Sequence, residues 1–170
     1  MNSTAPLHHL RVLELSGGKT DMCARLLADL GADVVLVEPA TGSPARQRGP
    51  HHAGHSLYFA AHNANKRSVK MDLENAAERT RFTELAARAD VLVNSLGPAT
   101  LTGLGLSLEA LTAEAPGLIV LSISDFGLSG PYSDYRASNA VHMALGGVLA
   151  RSGIKGRDPL LPPGEMAEEA

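Results

Sequence analysis

RVLELSGGKTDMCARLLADLGADVVLVEP, residues 11–39, is the stretch that decides the fold. Two short runs of aliphatic and β-branched residues, Arg11–Leu15 and Asp33–Glu38, bracket a segment with helical periodicity. Strand, crossover helix, strand is the pattern of an α/β domain with a parallel sheet. Gly17-Gly18 makes the first turn, and the spacing predicts a helix over residues 20–30. Its expected buried stripe is Cys23, Leu26, Leu27 and Leu30, with Gly31 as the stop. Pro39 closes the second strand.

Working outward, residues 40–55 form a long loop rich in Gly, Pro, Arg and His, of a length that often carries function. A helical turn is expected near 57–61, a strand over 68–73 and a helix over 75–89. Residues 91–93 read as a strand, 99–104 and 107–114 as short helical pieces, and 118–123 as another strand. A turn-rich link over 127–132 leads to a last helix expected over 137–151. The fold class is therefore α/β, a Rossmann-like and mostly parallel sheet flanked by helices. Residues 1–9 are expected to be a disordered leader, 10–154 the α/β unit, and 155–170 a Pro/Gly-rich and then acidic tail. The chain stops in Glu168-Glu169-Ala170 before a parallel sheet would normally close, and reads as an incomplete large domain.

Composition narrows the function classes. A formal charge of −3 gives no basic surface for nucleic acid. The single cysteine, Cys23, cannot form an internal disulfide or a multi-cysteine metal site. No apolar run approaches the roughly 18 residues of a membrane span, and no signal-peptide pattern opens the chain, so a cytoplasmic protein is expected. His51, His52 and His55 lack the neighbouring Cys or paired acid of a metal site, and no metal is expected.

Two nucleotide motifs fit poorly. In Ser16-Gly17-Gly18-Lys19-Thr20 the glycine that a P-loop needs five residues before Gly18 is Leu13, inside the strand. The dinucleotide pattern has a good frame, with Glu38 at the end of the second strand. Its glycine spacing fails at Lys19 and Met22. A tight turn needing small residues is the simpler reading.

A set of ordered segments carries a further signal. Residues 26–35 with Val37-Glu38-Pro39, then Asn63-x-Asn65-Lys66-Arg67-Ser68 with Met71-Asp72-Leu73, resemble the family III acyl-CoA transferases (CaiB/BaiF, formyl-CoA transferase-like). So do residues 89–93 with Gly97-Pro98 and Leu104-Gly105-Leu106. Ser122-Ile123-Ser124-x-Phe126-Gly127-x-x-Gly130-Pro131-Tyr132 and Ala144-Leu145-Gly146-Gly147 complete the likeness. The resemblance implies transfer of CoA from an acyl-CoA to a free carboxylic acid, with CoA as substrate and no tightly bound cofactor. It implies a chain about twice as long, in an intertwined homodimer.

It also implies a carboxylate nucleophile just after Pro162-Pro163-Gly164. Matching the Ala-acid pair places it at Glu168, and counting from Gly164 places it at Glu169. The family residue is Asp. Lys66 and Arg67 are the cationic candidates for CoA phosphates, with Asn63 and Asn65 bracing the loop or touching pantetheine. Arg46 and Arg48 are further candidates, read more simply as solvated charges. The family pattern has Arg at the place of Gly103, as a phosphate contact, Asn-Phe at Ser95-Leu96, and Gly at Asp125. A related branch, the α-methylacyl-CoA racemases, carries its His at the place of Ser138. His142, one helical turn on, reads as a packed helix residue. A racemase-like enzyme and a non-catalytic acyl-CoA-binding subunit stay open as alternatives.

Overall fold

The computed structural model describes residues 5–169. The first paired segments are β1 (Arg11–Leu15), α1 (Asp21–Asp29) and β2 (Asp33–Glu38). A two-stranded hairpin of β3 (His51–His52) and β4 (His55–Ser56) follows, then α2 (Leu57–His62). Next come β5 (Arg67–Lys70), α3 (Ala76–Ala86), β6 (Val91–Asn94), α4 (Pro98–Gly103) and α5 (Leu108–Glu114). β7 (Ile119–Ser122), α6 (Asn139–Leu145) and α7 (Met166–Glu169) complete the order.

The main sheet has the order β5-β2-β1-β6-β7, parallel throughout. Both faces of the central strands are covered, as a sheet built by helical crossovers requires, while the edge strand β7 leaves Ile119 and Leu121 exposed. Val12, Val34 and Val93 pack on one side with Ala24 and Ala28 of α1. Leu13, Leu15 and Leu92 pack on the other with Phe82, Leu101 and Leu111 of α3, α4 and α5. The chain builds outward from β1 to β2 and β5 on one side, then returns to β6 and β7 on the other. That reversal makes a topological switch point at the carboxyl ends of β1 and β6, where open α/β sheets bind ligands.

Three local expectations change. On α1 the inward face is Asp21, Ala24 and Ala28; of the expected stripe Cys23 and Leu27 pack partly buried against the core, while Leu26 and Leu30 are 56% and 48% exposed. Asp21 sets that orientation, because its carboxylate accepts from Ser16 Oγ at 2.7 Å and Asn63 Nδ2 at 3.1 Å. The small alanines then let the helix lie close to the sheet. The last helix ends at Leu145, because the chain turns at Gly146-Gly147, with Gly147 at φ 73°, and resumes only as a 3-10 turn at Leu149–Arg151. Of the expected leader, residues 1–4 lie outside the described residues. Residues 5–9 are folded into a turn, with Leu7 N–H donating to Leu30 O at 3.0 Å and the Leu7 side chain against the core.

Candidate active site

The loops leaving the carboxyl ends of β1, β2, β5 and β6 enclose a cavity of about 460 Å³. Its walls include Leu15, Gly17, Val37, Pro39, Met71 and Leu96, so it is largely apolar. A second cavity of about 350 Å³ continues past Gly17, Leu96 and Thr100 toward Lys19, Asp125 and Arg136. Together they form a path across the switch point, apolar at one end and charged at the other.

The long loop after β2 makes one wall of the first cavity, and Glu38 fixes it. Glu38 is 1% exposed and accepts from Arg46 Nε at 2.6 Å, Arg46 Nη2 at 2.7 Å and Ser43 N–H at 2.8 Å. The Arg46 guanidinium also lies 3.8 Å over the Phe59 ring. Arg46 is thus a brace and not a solvated charge. Its bidentate bonds outweigh burial and hold Glu38 down to about 2 from 4.5. Arg46→Ala is expected to cost on the order of 1–2 kcal/mol at pH 7, discounted because the guanidinium is partly exposed. The depressed carboxyl gives stability above its unfolded value, and that stability is lost as the pH falls toward 2. Urea denaturation should show variant and parent converging at low pH; a constant difference would rule out Glu38 as the source.

The Asn63–Arg67 segment does not open onto the cavity as expected. The Lys66 side chain is 1% exposed, and its Nζ donates to Glu14 Oε2 at 2.7 Å, Asp21 O at 2.8 Å and Asn63 Oδ1 at 2.8 Å. All three of its hydrogens are used inside the protein. Asn65, at φ 64°, donates to Asp29 Oδ1 at 2.7 Å. Arg67 begins β5 and bonds Asp33 at 2.5 Å, at the amino-terminal edge of the sheet and so the far end from the cavity. Lys66 and Asn63 thus secure the end of β1 and the start of α1, while Asn65 and Arg67 tie the segment to Asp29 and Asp33. Burial pushes Glu14 up to about 7, although the Lys66 ammonium and its hydrogen bond act to lower it.

The glycine turn is likewise committed internally. Gly17 N–H donates to Ser95 Oγ at 2.6 Å and Gly18 N–H to Ser16 Oγ at 2.8 Å. Lys19 pairs with Asp125, which also bonds His142 Nε2 at 2.8 Å. Burial raises the Asp125 carboxyl, but the Lys19 and His142 bonds bring it below its ordinary value. His142 stands behind Asp125 with its ring 5.9 Å from Phe126, and it is not part of the cavity wall.

Both nucleophile candidates share the single turn of α7, and the side chains of Glu168 and Glu169 lie outside the described residues. The segment before them is anchored at two points. Glu165 pairs with Arg48 and accepts from Tyr58 Oη at 3.2 Å, while Arg48 stacks 4.0 Å over the Tyr58 ring. Asn139 Oδ1 accepts from Ala167 N–H at 2.9 Å. Arg48 is therefore also a structural contact. Glu165 was not among the sequence candidates, and the alternation of acids in the tail offers no signal that singles it out.

Comparison with known proteins agrees with this architecture. The model of CoA-transferase family III matches residues 7–168. A Mycobacterium tuberculosis protein named "Probable CoA-transferase Rv1866" is 47% identical over 152 residues, covering 89% of this chain and 19% of its own length. The succinyl-CoA:(R)-benzylsuccinate CoA-transferase subunit BbsE of Thauera aromatica is 38% identical over 162 residues, covering 92% of this chain and 40% of that protein. The crystal structure of a CaiB/BaiF family protein from Brucella suis superposes with a TM-score of 0.89 at 33% identity, over 96% of this chain and 45% of that one. The chain thus spans less than half the length of the relatives it matches. It belongs to CoA-transferase family III.

Proposed function

We propose that this chain forms the CoA-binding and acyl-transfer region of an acyl-CoA:carboxylate CoA-transferase. The observation that carries the reading is the cavity path at the switch point of a family III sheet. Its apolar end suits the flat adenine of CoA, and its charged end suits phosphates and a carboxylate. Exposed Arg136 on the wall of the second cavity supplies a cation for the CoA diphosphate.

In the proposed chemistry Glu168 attacks the thioester carbonyl of the donor. A carbon–oxygen bond forms, the carbon–sulfur bond breaks, and the CoA thiolate leaves a mixed anhydride on the protein. The thiolate then attacks the glutamyl carbonyl, giving an enzyme-bound CoA thioester and releasing the donor acid. The acceptor carboxylate repeats these steps in reverse, so the thioester is conserved. Water must be kept out during transfer, and the docking of Glu165 and Asn139 holds the nucleophile segment against the body of the domain. Within this reading the complete protein is an intertwined homodimer of the cytoplasm. Among the described residues no helix is long and apolar enough to cross a membrane.

Calorimetric titration of acetyl-CoA into the chain, with its mass by light scattering, tests the binding half. Saturable binding supports the reading, and no binding removes CoA from this region. For the chemistry, a protein carrying this region at full family length should exchange isotopic label between an acyl-CoA and its free acid. Glu168→Gln should slow that exchange by more than about 100-fold, since a nucleophile cannot be replaced by its amide. Loss with Glu169→Gln alone moves the nucleophile one residue.

A further inference from the structure

Beside the first cavity lies a further opening of about 500 Å³, bordered by Glu74, Arg79, Thr100, Gly103 and Leu104. It shares Glu74, Thr100 and Leu104 with the first cavity, so a ligand in one reaches the other. Arg79 comes from α3, an element that none of the sequence motifs singled out. Its Nη1 donates to Leu73 O at 2.9 Å and to Glu74 O at 2.7 Å. Those two bonds hold the planar guanidinium in one orientation while leaving its remaining N–H donors uncommitted. The side chain is half-buried, yet no carboxylate pairs with it among the described residues. A partly desolvated cation without a counter-charge is costly unless an anion arrives to complete it.

The opening has room for that anion. Gly103 leaves the wall bare, with no atom within 4 Å of where a Cβ would stand. At Gly105, just past the end of α4, the Arg79 Nε is 3.9 Å from the corresponding point, so the guanidinium faces the carboxyl end of α4. Arg79 therefore approaches from α3 the opening in which the family pattern places an arginine at the position of Gly103.

We propose that Arg79 is a phosphate-binding residue, taking a phosphate group at the adenosine end of CoA in the opening left by Gly103. This rests on the CoA-binding reading above. The fork of a pre-oriented guanidinium matches two phosphate oxygens, and the neighbouring apolar cavity seats the base that carries them. CoA offers two such groups, the 3′-phosphate and the 5′-diphosphate. Glu74 is the acidic side chain bordering the opening, and among the described residues no ion pair joins it to Arg79.

The test is calorimetry on the chain with CoA and with 3′-dephospho-CoA, comparing wild type, Arg79→Ala and Arg79→Gln. The glutamine keeps donors for the two carbonyls and removes the charge, so it separates folding from binding, and thermal melts run in parallel. Both variants should bind CoA about 10- to 100-fold more weakly, the loss of a charge-assisted hydrogen bond. If dephospho-CoA binds wild type and variants alike, Arg79 holds the 3′-phosphate. If the variants weaken both ligands equally, it holds the diphosphate in place of Arg136. Either result supports the assignment. Equal CoA affinity in wild type and folded Arg79→Gln overturns it while leaving the CoA reading intact. Wild type that does not bind CoA overturns both.

Discussion

Lys66→Met is expected to destabilise the fold by about 3–5 kcal/mol at pH 8, the cost of leaving one member of a buried ion pair alone. Glu14 and Lys66 are 0% and 1% exposed, and Lys66 reaches across from the segment before β5 to the middle of β1. Removing the ammonium strands Glu14 and also unbinds Asn63 Oδ1 and the Asp21 carbonyl. Those groups hold α1 and the glycine turn, so the site is disturbed with the fold. The loss has a pH signature. Without Lys66 the Glu14 carboxyl rises further, because its lowering partner is gone while burial remains. At pH 5 the stranded residue is then neutral, still bonded to Thr20 Oγ1 at 2.9 Å, and the penalty should shrink to roughly 1–2 kcal/mol. Urea denaturation at the two pH values checks this. An equal loss at both would mean that Glu14 is not the group left uncompensated. Little loss at either would mean that Lys66 is not buried in solution.

The sheet was legible because its code is local. β1 and β2 occupy the expected residues, each an aliphatic run ended by a turn residue. The inward face of α1 was not, because apolar periodicity favours the leucines while Asp21, tied down from Ser16 and Asn63, turns the alanines inward. The Asn-x-Asn-Lys-Arg-Ser segment was conspicuous, but the direction of each side chain depends on partners 34 to 52 residues away. One signal in the sequence did point to Lys66: Glu14 stands in the middle of an apolar strand, and an acid there requires a cation. Arg46 had the same kind of clue in Glu38, at the end of a buried strand. Arg79 had none, since its position beside Gly103 exists only after α3 and α4 pack on the same face. The family likeness located the functional region; which cations border the cavity came from packing.

Glu14 and Glu38 make opposite demands on pH, and their balance gives the second large effect. Glu38 is lowered to about 2 by Arg46. Its contribution grows between about pH 2 and 4.5 and is complete above the unfolded value. Glu14 is raised to about 7 by burial, from 4.5. Its contribution is complete below 4.5 and is lost as the pH rises through about 7. By linkage the second effect is on the order of 2–3 kcal/mol, and the first, discounted for the exposed Arg46, on the order of 1–2 kcal/mol. These two carboxyls therefore draw the stability maximum toward pH 4.5–5, below the neutral range. Denaturation midpoints measured from pH 3 to 9 should fall on the alkaline side of that maximum, most steeply between about pH 5 and 7. In the paired variant Glu14→Gln with Lys66→Met, which removes both buried charges, that alkaline slope should flatten while the acid slope set by Glu38 and Arg46 remains. A slope between pH 5 and 7 that survives the paired substitution would assign it to other groups, and would leave Glu14 ionised at neutral pH beside Lys66.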